Sequence, residues 1–132
     1  MKISKKEDFG LIFMTILARN YTHKYISLSF AAKQSHLSPL FLKQIASRLK
    51  NKGLIESKEG IYGGYRLARP PHKIVIAEII GAISNRIVIP SCIQGVCRLR
   101  KNICSCFSFW GEVNKYIFLH LKKIHLKQFA KL

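Results

Sequence analysis

Acidic residues are scarce in this chain: 6 Asp and Glu stand against 23 Lys and Arg in 132 residues, a formal net charge of +17 at pH 7. Such an imbalance repels itself and points to a polyanionic partner, nucleic acid first. An anionic membrane surface is the competing partner, one that a basic amphipathic helix would serve without any recognition fold. Long apolar runs are lacking too. No stretch reaches the roughly 18 residues that a spanning helix requires. The apolar segment from Phe9 to Ala18 follows lysines, but Glu7 and Asp8 interrupt the basic region and no small-residue cleavage site follows. It therefore reads as a core helix rather than a signal peptide, in a soluble, cytoplasmic protein. The signatures of catalysis are missing as well: no nucleophile–base pair stands out, and no glycine loop joins a strand to a helix to cradle phosphate. His120 and His125, five apart on one helical pattern, do not align as a metal pair. An enzyme is not expected. Finally, cysteine is absent from the first 91 residues, after which Cys92, Cys97, Cys104 and Cys106 fall within 15. A cysteine-free part with its own periodic apolar pattern needs no disulfide staples, so the cluster reads as one site of metal or redox chemistry in a reducing cytoplasm.

What is present begins with a helix. Ser4 and Glu7 make a capping box, and Phe9, Ile12, Phe13, Ile16 and Leu17 recur at helical spacing up to about Arg19. A brief second helix, about Leu28 to Gln34, has Ser27 as its cap and Leu28, Ala31 and Ala32 on one face. It stops at Ser35-His36-Leu37. Ser38 then caps a third helix with Pro39 in its first turn, Leu37 and Leu42 as a hydrophobic staple, and Gly53 in the left-handed position after its end near Lys52. Leu42, Ile45, Ala46 and Leu49 give this helix a buried stripe and leave Leu40, Lys43, Gln44, Ser47, Arg48 and Asn51 outside. A short helix, a tight turn and a longer basic helix match the helix-turn-helix arrangement. They match an ordinary helical hairpin with a solvated charged face equally well.

The following residues separate the two. Leu54 to Ser57 and Tyr65 to Ala68 read as strands joined by a turn containing Gly60, Gly63 and Gly64. A hairpin directly after a recognition helix is a wing, and Lys58, Tyr62, Arg66 and Arg69 equip it for phosphate or minor-groove contact. After Pro70-Pro71, Ile76, Ile79, Ile80 and Ile83 mark a fourth helix within 74–84. A last helix is expected over about Ser108 to Leu126, with Phe109, Val113, Tyr116, Ile117, His120, Leu121 and Ile124 on one stripe that requires a partner. A symmetric dimer supplies that partner and places two recognition helices on a palindromic site. The expected fold is mainly α with a small β-hairpin: a winged helix-turn-helix domain (1–85), a cysteine-containing sensor loop (86–107) and a long C-terminal dimerisation helix (108–132).

In this order the pieces resemble the Rrf2 family of bacterial transcription regulators over nearly the whole chain. The residues that carry the resemblance are Leu37-Ser38-Pro39, Leu42, Leu49, Gly53-Leu54-Ile55, Gly60, the run Gly63-Gly64-Tyr65-Arg66-Leu67-Ala68-Arg69, and Ile74. The resemblance implies a homodimer on double-stranded DNA with a palindromic operator, most often as a repressor, and no membrane partner. Ser38, Pro39, Leu40, Lys43, Gln44, Ser47, Arg48, Lys58, Tyr62 and Arg66 are then the expected DNA-binding residues. It also implies an iron–sulfur cluster, 2Fe–2S or 4Fe–4S, on Cys92, Cys97 and Cys104, the last standing six residues before Trp110 as in cluster-binding members. Two departures are present: Phe107 occupies the position of the family's histidine ligand, and Cys106 has no clear counterpart. The fourth ligand is left open between Cys106 and Asp8. The alternative in mechanism is a winged-helix regulator without a cluster, controlled by thiol oxidation, zinc or a protein partner. The alternative in class is a basic module that binds membrane or protein.

Overall fold

The computed structural model describes residues 5–21, 24–84 and 105–130. Helix α1 (Lys5–Arg19) carries Glu7 and Asp8 in its first turn and Arg19 in its last, charges that suit the two ends of the helix dipole. Its inner face buries Phe13, Met14, Ile16 and Leu17. Helix α2 (Leu28–Ser35) starts where the Ser27 hydroxyl accepts from the Phe30 N–H at 3.1 Å, and ends at His36, whose φ of 57° turns the chain out of the helix. Helix α3 (Pro39–Asn51) follows after three residues, His36 to Ser38. Ser38 stands at its N-cap position in extended conformation, its hydroxyl makes no capping hydrogen bond, and Pro39 occupies the first turn, where its missing N–H costs nothing. Leu42, Ile45, Ala46 and Leu49 form the buried stripe, as their spacing requires.

Gly53, with φ of 73°, closes α3, and the Leu54 N–H bonds back to the Leu49 carbonyl at 3.1 Å. Strands β1 (Ile55–Lys58) and β2 (Gly64–Leu67) then pair antiparallel, with Ile55 opposite Leu67 and Lys58 opposite Gly64. A third strip of backbone joins them: Ile26 and Tyr65 exchange both N–H···O bonds at 2.8 Å. This contact explains Gly64. A methyl group there would run into the Ile26 carbonyl, and its φ of 147° also disfavours a side chain.

A 3-10 turn (Pro71–Lys73) leads to α4 (Ile76–Ile83), shorter at its start than the apolar pattern suggests because Pro70 and Pro71 fix the turn. Glu78 caps α4 by accepting from the Val75 N–H at 3.1 Å. The core lies where α1, α3, α4 and the hairpin base meet, with Phe13, Leu42, Leu49, Ile74 and Ile79 fully buried. Two edge-to-face ring pairs, Phe9–Phe41 at 5.2 Å and Phe13–Tyr65 at 5.9 Å, tie α1 to α3 and to the hairpin.

Helix α5 spans Ser105–Leu121, not Ser108 to Leu126 as the periodicity predicts. Beyond it the chain turns back. Ile124 accepts from the Ile76 N–H and Leu126 donates to the Ile74 carbonyl, both at 2.8 Å, before a final 3-10 turn (Leu126–Gln128). Leu126 is fully buried, a burial that stabilises by about 1.5–3 kcal/mol. The apolar spacing 117, 121, 124 continues helically through this point, so the stripe hid the break. Residues assigned by sequence to the dimerisation helix thus belong to the core of the first unit.

Candidate nucleic-acid interface

Helix α3 contains no acidic residue and carries Lys43, Arg48 and Lys50. Along its outer side Ser38, Pro39, Lys43, Gln44 and Ser47 are exposed, and Leu40 keeps 69 % of its surface. The N-terminal turn is the part of a recognition helix that reaches base edges. Ser38 stands there exposed, with its hydroxyl unused in capping.

The hairpin tip is the second exposed element. Ile61 and Tyr62 retain 96 % and 87 % of their surface, and Lys58 and Glu59 flank them in the open. The hairpin base is tied to its neighbours by contrast. The Arg66 guanidinium pairs with Glu56 at 3.0 Å and lies over the Tyr25 ring, 4.5 Å from its centroid. The Glu56 hydrogen bond, partly offset by desolvation, holds the Arg66 pKa above its ordinary value. Lys58 stands 5.9 Å from the same ring on its own account. Arg69, at the wing exit, donates to the Lys73 carbonyl at 3.2 Å and pairs with Glu78 at 3.0 Å, joining the hairpin to the cap of α4.

The sequence-predicted residues therefore fall into two groups. Ser38, Pro39, Leu40, Lys43, Gln44, Ser47, Lys58 and Tyr62 are exposed and have no polar side-chain partner among the described residues. Arg48 and Arg66 are also at the surface but have partners within the protein, Arg48 by donating to the Ile83 carbonyl at 2.9 Å and Arg66 by donating to Glu56 at 3.0 Å. Sequence reasoning missed Lys6, which joins Gln44, Ser47 and Arg48 around a hollow of about 330 Å³, and Tyr25, which backs the hairpin cations. Neither has a local signal, because each comes from an element distant in sequence.

Of the cysteine site, Cys92, Cys97 and Cys104 lie outside the described residues. Cys106 is a free, exposed thiol in the first turn of α5, and Asp8 is exposed in the first turn of α1. Among the described residues no three His, Cys, Asp or Glu side chains gather as a metal site, and no helix is long and apolar enough to cross a membrane.

A tight helix pair whose second member is exposed and acid-free, followed at once by a β-hairpin locked to its end, defines a winged helix-turn-helix protein. The chain belongs to the Rrf2 family of transcriptional regulators, whose model, described as an iron-dependent transcriptional regulator, matches residues 3–132. It is 39 % identical over 87 residues to the HTH-type transcriptional regulator CymR of Bacillus subtilis, a match that spans 66 % of this chain and 63 % of that protein. The solved structure of CymR, described as the global cysteine regulator of B. subtilis, superposes with a TM-score of 0.75 at 31 % identity, covering 98 % of this chain and 96 % of that one. IscR of T. potens gives 0.74 at 30 % identity over 96 % and 84 %. An oxidised form of Staphylococcus aureus CymR gives 0.73 at 30 % identity over 100 % and 98 %. These relatives are regulators, and the chain is not an enzyme.

Proposed function

We propose that the protein is a homodimeric repressor that grips a palindromic operator with α3 and the hairpin tip, and that a cysteine-held iron–sulfur cluster sets the grip. The observation that carries the DNA-binding part is the acid-free outer side of α3, with Leu40, Lys43, Gln44 and Ser47 exposed in a helix whose other side is core. Ser38, Pro39, Leu40, Lys43, Gln44 and Ser47 reach the groove and adjacent phosphates, while Lys58 and Tyr62 hold the wing to the backbone. Dimerisation is supported by α5, on which Phe109, Tyr116 and Leu119 are exposed and Asn114 alone is buried. A groove of about 470 Å³ between α1 and the end of α5, walled by Leu11, Ile12, Leu121, Ile124 and Phe129, offers the second copy a seat.

Four thiols between residues 92 and 106 are a soft donor set that suits iron, with Cys92, Cys97 and Cys104 as ligands and Cys106 or Asp8 as the fourth. When bound, such a cluster supplies an iron centre sensitive to oxidants and to iron supply. The test is anaerobic purification with iron and sulfide analysis. Replacing Cys92, Cys97 or Cys104 by Ala should abolish the visible chromophore while the far-UV circular dichroism stays intact, because the core lies elsewhere. Cys106→Ala and Asp8→Ala separate the fourth ligand. Wild-type iron content in all three cysteine variants would sink the cluster.

A second mechanism has its own support in the exposed Cys106 thiol and in the relative solved in an oxidised form. Thiol oxidation without a cluster predicts a colourless, iron-free protein whose operator binding changes on treatment with diamide and recovers with dithiothreitol.

A further inference from the structure

Arg48 is exposed on the recognition helix, yet its guanidinium is tied to another helix. Nη1 donates to the carbonyl of Ile83 at 2.9 Å. Ile83 is the last residue of α4, and the last carbonyls of a helix have no partner within it. A cation there satisfies an orphan acceptor and complements the negative end of the helix dipole. The acceptor is itself held in place. The Ile83 side chain is 5 % exposed and is wedged against α1 at Gly10, where any methyl group would collide with its Cδ1, while Ile45 of α3 closes on the same spot. Arg48 therefore joins the outer side of α3 to a point fixed by three helices. Lys43, five residues earlier on the same helix, has no such tie among the described residues.

We infer that Arg48 is a positioning residue and not a DNA contact: it sets the tilt of α3 by anchoring it to the C-terminal carbonyl of α4. The inference rests on the DNA-binding role proposed above. It also gives α4 a task, since the chain leaves Ser84 toward the cysteine-bearing stretch, and any displacement of the end of α4 is passed to α3 through this hydrogen bond. Specific recognition requires several base contacts in register, so a tilted helix loses the operator but not general attraction to phosphate.

The experiment measures binding by fluorescence anisotropy across a salt series, on a duplex that the wild-type chain selects from a random pool and on an unrelated duplex of equal length. Arg48→Ala should weaken the selected duplex about tenfold or more, the loss typical of a charge-assisted hydrogen bond. It should leave the unrelated duplex within about twofold and the salt slope unchanged. Ile83→Ala should weaken the selected duplex in the same way, and the double variant should lose no more than the worse single one. Lys43→Ala is the contrast: it weakens both duplexes and lowers the salt slope by about 1. If Arg48→Ala lowers the slope and weakens both duplexes alike, or if the double variant is additive, Arg48 is a phosphate contact and the inference falls. It falls equally if Arg48→Ala only lowers the thermal midpoint and leaves operator affinity intact. A wild-type chain that selects no duplex overturns the DNA-binding role itself, and the inference with it.

Discussion

The two long helices, α1 with 15 residues and α5 with 17, meet opposite fates. α1 carries three lysine or arginine side chains and two acids, yet seven of its residues are buried and Phe13 and Met14 are wholly enclosed. α5 carries one lysine and one glutamate within a more apolar sequence, yet Asn114 is its single buried residue. Phe109 packs edge-to-face on Trp110 at 5.0 Å and still keeps 58 % of its surface. Apolar content thus does not say which helix is core. α1 finds α3, α4 and the hairpin within its own chain, whereas α5 touches the rest mainly through Phe118 and Leu121 near its end. The excess apolar surface of α5 is the kind that a second copy covers.

The contrast is tested most severely at Leu126. Although it follows α5 in sequence, it belongs to the core of α1, and Leu126→Ala should cost about 2–5 kcal/mol in urea unfolding. A loss below about 0.5 kcal/mol, the range of surface substitutions, would detach the tail from the core.

A smaller effect on the fold, and a large one on assembly, is expected from Tyr116→Glu and Phe109→Glu. Each should weaken dimerisation about thirtyfold or more by sedimentation equilibrium, as for a hot-spot aromatic, while circular dichroism stays unchanged. Dimers that persist in both variants would remove α5 as the interface.

The mildest change falls on Ile12, 40 % exposed on α1 and a wall of the groove beside Leu121 and Ile124. Ile12→Ala should weaken the dimer by about tenfold or less and leave the unfolding midpoint close to wild type, since a half-exposed side chain loses little burial in the monomer. A monomer destabilised as strongly as by Leu126→Ala would instead make Ile12 part of the core.

Much of the helix pair and its exposed side was legible in the chain because its signals are local. Ser27 caps α2, Pro39 opens α3, Gly53 closes it, and Leu42, Ile45 and Leu49 repeat at helical spacing; each needs only neighbours within a few residues. The same locality explains why Lys43, Gln44 and Ser47 were readable as an outer face. Arg48 was not separable from them, since it shares their helix side and differs only by a carbonyl 35 residues away. Arg66 likewise reads as a wing cation until Glu56 and Tyr25 are brought beside it.

By itself the sequence determined the charge, the caps, the turn glycines and the buried stripes, all consequences of periodicity and of backbone preferences acting over one or two turns. Only the tertiary structure decided that α5 stops at Leu121, that the tail returns to pair with Ile74 and Ile76, and that two of the predicted cations have partners within the protein. Those outcomes depend on which distant carbonyl, carboxylate or ring arrives at the site. Such arrivals are set by the packing of whole helices, which no window along the chain contains.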